Sequence, residues 1–248
     1  MSKSINIFGF HSIESLLKTN PESIIKVFVQ SNRRDKRVND LVNTLTIQKI
    51  PFSNTDRGDL DRIAKGEIHQ GIISEVILPP LLNEESLFKS LSNNSSNPLL
   101  LVLDSIQDPR NLGACLRSAN AAGVDYVIIN KNGSAPINAL VHKTSAGALN
   151  TLKIYHVTNL SRTIKDLQKR GIWVIGLDGH SKSTIYDVNL TDTTAIVMGS
   201  ESKGIRRLIK ETCDQIVTIP MSGNIESLNV SVATGIALFE SKRQRESI

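Results

Sequence analysis

Three loops in the second half of the chain carry the side chains whose types and spacing suit chemistry. In the first loop, residues 104–113, Asn111 lies where a helix N-cap is expected, and the free backbone N–H groups at such a position can bind an anion. Arg117 follows about two helical turns later. It either faces the same crevice or is a solvated, ion-paired side chain, and the residues alone slightly favour the latter.

The second loop follows a predicted strand at residues 195–198. Residues 199–204 match the start of a phosphate-binding loop, but Ile205 and Arg206 stand where that loop needs Lys and Ser or Thr. The sequence therefore excludes a nucleoside-triphosphate site, although the two glycines still permit close approach of backbone to a ligand. Glu201 is either a surface carboxylate or a catalytic or orienting group, and the residues do not decide between them.

The third loop spans residues 219–229 and leads into the last predicted helix, at about residues 228–243. Ser227 is the expected N-cap of that helix and Asn229 belongs to its first turn. Capping alone is enough to explain both residues. Four apolar residues of this helix share one face: Leu228, Val232, Ile236 and Phe239.

The elements that must position these loops predict an α/β fold. Residues 99–103 are a continuous apolar run, as in a strand buried on both faces. Strands and helices then alternate, which predicts a mainly parallel sheet with helices on both faces. Ligands of such sheets bind beyond the carboxyl ends of the strands, where the three loops would meet. Residues 1–78 form a smaller module of helices and strands, and residues 79–98, rich in Pro, Asn and Ser, form a linker with a short helix at residues 84–91.

Composition sets the broad class. The chain has 248 residues, 40% of them hydrophobic, and carries a net charge of +5, which suits a globular protein with a polyanionic partner. Aromatic residues make up only 4%, which argues against a base-stacking platform. No apolar run of about 18 residues or signal peptide is evident. Neither the cysteines, Cys115 and Cys213, nor the histidines form a metal pattern. These features predict a cytoplasmic protein without a metal.

In this order, the three loops resemble the three motifs of the SpoU/TrmH family of RNA 2′-O-methyltransferases. The resemblance lies in residues 111–117, 197–204, 219–223 and 227–235. Residues 7–11 and 69–72 also resemble the two ends of the RNA substrate-binding domain of that family. Nearly the whole chain is covered, and no motif position departs from the family pattern.

The resemblance implies what the residues alone do not. It implies a deep trefoil knot in residues 99–248, a homodimer, and S-adenosylmethionine as the methyl donor. The acceptor would be the ribose 2′-hydroxyl of a guanosine in 23S ribosomal RNA, with no membrane, DNA or metal partner. The residues implied to bind the cofactor are Leu177, Gly179, Gly199, Ile219, Met221 and Leu228. Those implied to act in catalysis are Arg117, Asn111, Glu201, Ser227 and Asn229.

The family role of Arg117 is activation of the 2′-hydroxyl, yet a guanidinium is always protonated in proteins. We therefore expect Arg117 to clamp an RNA phosphate and so position the hydroxyl. Two alternatives remain open: the same reaction on transfer RNA, and a non-catalytic RNA-binding factor for ribosome assembly. Nine basic residues either contact the RNA backbone or form a solvated face: Arg33, Arg34, Lys36, Arg37, Arg206, Arg207, Lys242, Arg243 and Arg245.

Overall fold

The computed structural model describes residues 4–78, 81–93, 97–225 and 227–247. Packing divides the chain into two compact units. The first comprises the residues up to Pro80 together with Ile137–Thr151, and the second comprises Leu81–Pro136 and the residues from Leu152 onward. Within the described ranges, no helix is both long and apolar enough to cross a membrane.

The first unit is built on a four-stranded mixed sheet. Its strands are β1 (Ser4–Phe8), β2 (Ile24–Gln30), β3 (Phe52–Thr55) and β4 (Ile72–Ile77), in the order β1-β4-β2-β3. Its helices include α1 (Phe10–Thr19), α2 (Lys36–Ile47) and α3 (Arg57–Ala64). The sequence predicted all three helices, β2 and β4, but not β1 or β3. Apolar residues of α1 and α2 pack on the sheet and form the core of this unit.

The second unit contains a seven-stranded sheet in which every pairing is parallel, which confirms the predicted α/β class. The strand order is β11-β9-β10-β6-β7-β8-β5. The strands are β5 (Leu82–Asn83), β6 (Leu99–Asp104), β7 (Tyr126–Asn130), β8 (Lys153–Val157), β9 (Trp173–Leu177), β10 (Thr194–Gly199) and β11 (Gln215–Val217). The helices are α4 (Glu84–Ser92), α5 (Pro109–Ala122), α7 (Leu160–Gln168), α8 (Arg207–Thr212) and α9 (Val230–Glu246).

The strand order determines where a ligand-binding crevice can form. From β6 the chain adds β7 and β8 on one side of the sheet and later adds β10 and β9 on the other, so the order reverses at β6. Both β6 and β10 are buried along their whole length, and they pair in register so that Gly199 lies opposite Asp104. A reversal of this kind leaves a crevice at the carboxyl ends of the strands, where ligands of α/β proteins bind.

The segment predicted as a linker, residues 79–98, lies partly outside the described residues, at positions 79, 80 and 94–96. Its described part contains β5, which pairs with β8, and α4, which confirms the short helix. The helix predicted at residues 138–148 is shorter than expected. It is α6 (Ala139–Thr144), capped by Asn138 and followed by a 3₁₀ turn at Ala148–Asn150.

Two predicted helix starts are wrong. Asp108 caps α5, since its carboxylate accepts a 2.7 Å hydrogen bond from the Arg110 amide, and Asn111 therefore lies inside the first turn. The cause is Pro109, whose fixed φ suits the first helical position. Asn229, not Ser227, caps α9, since its side-chain oxygen accepts from the Ser231 amide at 2.9 Å.

The apolar face of the last helix is largely exposed in α9. Val232 and Phe239 are 51% and 47% exposed, and Ile236 is only partly buried. The buried face instead carries small or polar residues that suit close packing against α5. It consists of Val230, Thr234, Ala237, Leu238, Glu240 and Ser241. The most apolar stripe of this helix therefore lies on the surface of the single chain.

Candidate active site

A cavity of about 370 Å³ lies at the carboxyl ends of β9 and β10. The loops after β10 and β11 and the start of α9 complete its wall. The six residues expected to bind the cofactor all line it: Leu177, Gly179, Gly199, Ile219, Met221 and Leu228. The structure thus brings together residues from three separate parts of the chain, as the resemblance implied.

The turn after β10 is closed by its own backbone. The Ser200 amide donates to the Gly204 carbonyl at 3.1 Å, and the Gly204 amide donates to the Ser200 carbonyl at 2.8 Å. A Cβ on Gly199 would overlap the backbone of Gly204 and Ile205, so only glycine fits at this position. Gly204 itself has a φ of 60°, which also favours glycine. These two glycines give the cavity a wall of exposed backbone.

Three predicted catalytic residues form one hydrogen-bonded network. The Asn111 amide donates to Glu201 Oε2 at 2.7 Å, and the Asn229 amide donates to Asn111 Oδ1 at 3.1 Å and also to Glu201 Oε1. Asn229 Oδ1 meanwhile accepts from the backbone and hydroxyl of Ser231. Both carboxylate oxygens of Glu201 are therefore held by amides from α5 and from the cap of α9.

Ser227 and Arg117 lie outside this network. Ser227 lines the cavity but forms no hydrogen bond with the three network residues. Arg117 is exposed and lies seven residues after Arg110, also exposed, on the same face of α5. Neither a hydrogen bond nor an ion pair joins the Arg117 guanidinium to another described residue. In one copy of the chain, this guanidinium is thus available to a partner.

The sequence did not reveal an ion pair behind the cavity. Asp104 ends β6 and is fully buried, while the Arg206 side chain is 51% exposed. Asp104 Oδ1 accepts from Arg206 Nε at 2.7 Å, and Oδ2 accepts from the Arg206 amide at 2.9 Å. The Ser105 hydroxyl adds a third donor at 3.1 Å. Arg206 was one of nine basic residues expected either to contact RNA or to form a solvated face, and its guanidinium anchors the second loop to β6. A charged residue at the end of an apolar strand was the only available signal.

A second carboxylate missed by the sequence lines the cavity itself. Asp178 follows β9, its side chain is 12% exposed, and Oδ1 lies 3.0 Å from Lys210 Nζ and 3.0 Å from the His180 amide. Burial works against the charged form, but the Lys210 ammonium and the His180 amide hold the pKa of Asp178 below its usual range. Asp178 is therefore an anionic acceptor in the cavity wall.

The two cysteines do not supply a nucleophile. Burial raises the pKa of the Cys115 thiol to about 11, and that of the Cys213 thiol to about 12. Cys115 Sγ lies 3.4 Å from the Thr234 hydroxyl, between α5 and α9. The described part of the chain contains no cluster of three or more His, Cys, Asp or Glu suited to a metal ion.

The cavity fits an amphipathic nucleoside cofactor. Leu177, Ile219 and Leu228 give it apolar walls, while polar side chains such as Asp178, Thr218 and Ser227 also line it. Its volume also lies within the usual range for small-molecule sites, roughly 300 to 1,000 Å³. Adenine needs the apolar surface, and the ribose and amino-acid parts of S-adenosylmethionine need the polar groups.

Two families match the chain. The SpoU rRNA Methylase family matches residues 98–239, and the RNA 2′-O ribose methyltransferase substrate binding domain matches residues 6–80. The first of these matches covers more than half of the chain, and it agrees with the parallel sheet, the glycine turn and the Asn111–Glu201–Asn229 network. The chain therefore belongs to the SpoU rRNA methylase family.

Similar proteins are known from several bacteria. The chain is 49% identical to the 23S rRNA (guanosine-2′-O-)-methyltransferase RlmB of Haemophilus influenzae over 243 residues, 98% of each chain. It is 44% identical to the RlmB of Pseudomonas aeruginosa, over 99% of this chain and 98% of that one. The fold is also that of the SpoU methyltransferase AviRb from Streptomyces viridochromogenes, solved in complex with AdoMet, with a TM-score of 0.79, 21% identity, and coverage of 99% of this chain and 92% of that chain.

Proposed function

We propose that this protein transfers a methyl group from S-adenosylmethionine to the ribose 2′-hydroxyl of a guanosine in 23S ribosomal RNA. The supporting relatives are RlmB enzymes 44–49% identical over nearly the whole chain. The structural observation that carries the proposal is the fixed Glu201 carboxylate, held by two amides at the edge of a nucleoside-sized cavity. The reaction also needs no metal, because the methyl donor brings its own leaving group.

The cofactor would be held between apolar side chains and backbone. Leu177, Ile219 and Leu228 would enclose its adenine, and the backbone at Gly179 and Gly199 would lie against its polar parts, with Met221 at the rim. When bound, the cofactor supplies an electrophilic methyl group on a sulfonium. The protein's part is then to hold that methyl group and the RNA ribose oxygen in line. Such alignment lowers the barrier because the two reactants no longer have to find each other in solution.

The acceptor would be positioned by Arg117. Its guanidinium stays protonated and can bind an RNA phosphate through two parallel hydrogen bonds. That contact fixes the ribose, so that O2′ faces the cavity, while Asn111 and Asn229 keep Glu201 from rotating away. The new C–O bond would form as the bond between the methyl carbon and sulfur breaks, and the 2′-hydroxyl proton would pass to water. Ser227, on the cavity wall, would orient the ribose.

The assembly would be a homodimer, and the second unit would carry the trefoil knot that the resemblance implies. The exposed stripe of α9, formed by Val232, Ile236 and Phe239, supports the dimer because a soluble chain rarely leaves such a helix face in water. A second copy would cover this stripe. Light scattering of Val232→Glu against the wild-type chain tests this, since the charge should yield monomers.

The division of labour would follow the family matches. Residues 1–78 would bind the RNA, residues 79–98 would link the domains, and residues 99–248 would carry out methyl transfer. A ribosomal RNA substrate would be met in the cytoplasm, which is the location that we propose. Among the basic residues of the first unit, Arg34 and Lys36 are exposed and suit phosphate contacts.

Separate transcripts of 23S rRNA and tRNA, incubated with labelled S-adenosylmethionine, test the proposal. We expect label in the 23S transcript alone, whereas label in tRNA would support the tRNA alternative. Calorimetry adds the second distinction. A chain that binds rRNA but not the cofactor would be the non-catalytic assembly factor.

A further inference from the structure

Among the residues that the structure describes, two carboxylates line the cavity, and they differ in the hydrogen bonds that they can still accept. Both oxygens of Glu201 already accept from amides, Oε2 from Asn111 and Oε1 from Asn229. Asp178 is different, because Lys210 and the His180 amide both lie against Oδ1. Its other oxygen, Oδ2, accepts no hydrogen bond from the residues that the structure describes. In Asp178, Oδ1 is therefore already paired within the protein, whereas Oδ2 is available to a ligand.

The available oxygen points toward the glycine turn. A Cβ built on Gly204 would lie 3.8 Å from Asp178 Oδ2, in ordinary van der Waals contact, and both residues line the cavity. A side chain at position 204 would narrow the approach to this oxygen. Because Asp178 lines the cavity and its described partners lie against Oδ1, a ligand in the cavity can reach Oδ2 beside the turn after β10.

The charge balance decides which kind of ligand group suits Asp178. Lys210 Nζ lies 3.0 Å from Oδ1, so the pair presents little net charge to the cavity. What remains is a hydrogen-bond acceptor whose strength is raised by its ionisation. Such an acceptor suits a neutral hydroxyl better than a sulfonium or an ammonium, which would gain more from an unpaired carboxylate.

We propose that Asp178 Oδ2 accepts a hydrogen bond from a ribose hydroxyl of the bound cofactor and so sets specificity for a ribonucleoside. The inference rests on the proposed function, because it takes the cavity to be the S-adenosylmethionine site. Acidic side chains bind ribose hydroxyls in the same way at the strand ends of other parallel α/β folds. Methyl transfer leaves the ribose of the cofactor unchanged. Asp178 would therefore bind S-adenosylmethionine and its product, S-adenosylhomocysteine, in the same way.

The test combines variants of the protein with analogues of the ligand and measures the affinity of each pair by calorimetry. The ligands are S-adenosylmethionine, S-adenosylhomocysteine and the 2′-deoxy and 3′-deoxy forms of S-adenosylhomocysteine. The proteins are the wild type, Asp178→Ala and Asp178→Asn, with Glu211→Gln on the outer part of α8 as the matched control. Removal of the contacted hydroxyl should weaken binding to the wild type about tenfold. The same removal should change binding to Asp178→Ala by less than about twofold.

Lys210→Met separates ligand binding from a structural role. This variant loses the ion pair to Asp178 but keeps the carboxylate, so it should still distinguish the deoxy ligand from the parent. If Asp178 merely held α8 against β9, Lys210→Met and Asp178→Ala would lose binding alike and both would distinguish the ligands as the wild type does. That result would overturn the inference.

Two further outcomes are decisive. Loss of S-adenosylmethionine binding by Asp178→Ala with unchanged S-adenosylhomocysteine binding would mean that Asp178 recognises the sulfonium charge, and would also overturn the inference. Absence of binding of either ligand to the wild type would contradict the proposed function. Normal wild-type binding with full hydroxyl discrimination in Asp178→Ala and Asp178→Asn would overturn the role of Asp178 alone.

Discussion

The Asn111 side-chain amide donates a 2.7 Å hydrogen bond to Glu201 Oε2, although the two residues lie 90 positions apart in the chain. The contact joins the first turn of α5 to the glycine turn after β10. It exists because β6 and β10 are neighbours in the sheet, so that the loops at their carboxyl ends meet. An amide and a carboxylate are complementary here, since one donates where the other accepts.

A swap of these two groups tests whether the contact matters for catalysis. Asn111→Asp alone would place two carboxylates in contact, and we expect methyl transfer to fall at least about tenfold. Glu201→Gln alone removes the charge and should also slow the reaction. The double variant Asn111→Asp/Glu201→Gln restores one donor and one acceptor, and should recover part of the rate in single-turnover assays. Losses that simply add would show that the contact has no catalytic role.

Arg117 is expected to act on the RNA and not on the cofactor. Arg117→Ala should bind S-adenosylmethionine as the wild type does, but should lower the rate of methyl transfer by about a hundredfold, because a positioning hydrogen-bond donor is lost. Arg110→Ala is the matched control, since Arg110 is exposed on the same face of α5. Wild-type turnover by Arg117→Ala, or an equal loss in the control, would refute this role.

Substitution of the two partners of the buried Asp104–Arg206 ion pair should lower the unfolding free energy by different amounts. Arg206→Ala leaves the fully buried Asp104 carboxylate without its cation, and should cost about 3 kcal/mol of unfolding free energy. Asp104→Asn should cost less, about 1–2 kcal/mol, because the half-exposed guanidinium can turn to water. Urea unfolding measures both. Arg207→Ala serves as the control, because that side chain is 90% exposed, and the reverse order of the two losses would contradict this account.

The basic segment before α2 should divide into structural and RNA-binding residues. Arg33 bonds to the Gln70 carbonyl, and Arg37 pairs with Glu14 at 2.9 Å, so both are occupied within the first unit. Arg34 and Lys36 are exposed and form no ion pair with a described residue.

The variant Arg34→Ala/Lys36→Ala should therefore weaken rRNA binding and lower the slope of log affinity against log salt by about 2. Filter binding between low and moderate salt measures this slope. Lys165→Ala/Lys169→Ala, in the last turn and at the C-cap of α7, removes the same charge elsewhere and should leave the slope unchanged. Equal effects of the two double variants would show that only net charge matters.

The sequence predicted the parallel sheet and the three loops because both depend on local signals. An apolar run such as residues 99–103 predicts a buried strand by itself, and strand–helix alternation then fixes the class. The parallel order in turn places the loops together, as the cavity and the Asn111–Glu201 contact bear out.

The sequence did not predict two kinds of feature: those for which local signals compete, and those that join residues far apart in the chain. At the start of α5, Asp108 and Asn111 are both good caps, and the choice was made by Pro109. Periodicity places Val232 and Phe239 on one face of α9, but it does not show whether that face is buried, and both residues are exposed.

The contacts of Asp104 with Arg206 and of Asp178 with Lys210 join residues far apart in the chain. No spacing rule could pair them. They became visible only when the strand ends were placed beside one another.

Nucleoside analysis of the methylated RNA tests the central claim most directly. A 23S rRNA transcript incubated with the protein and labelled S-adenosylmethionine would be digested to nucleosides and analysed by mass spectrometry. The account predicts 2′-O-methylguanosine at one position, absent from a transcript with 2′-deoxyguanosine there and from the reaction with Arg117→Ala. A methyl group on a base, or no transfer to rRNA by a chain that binds the cofactor, would contradict it.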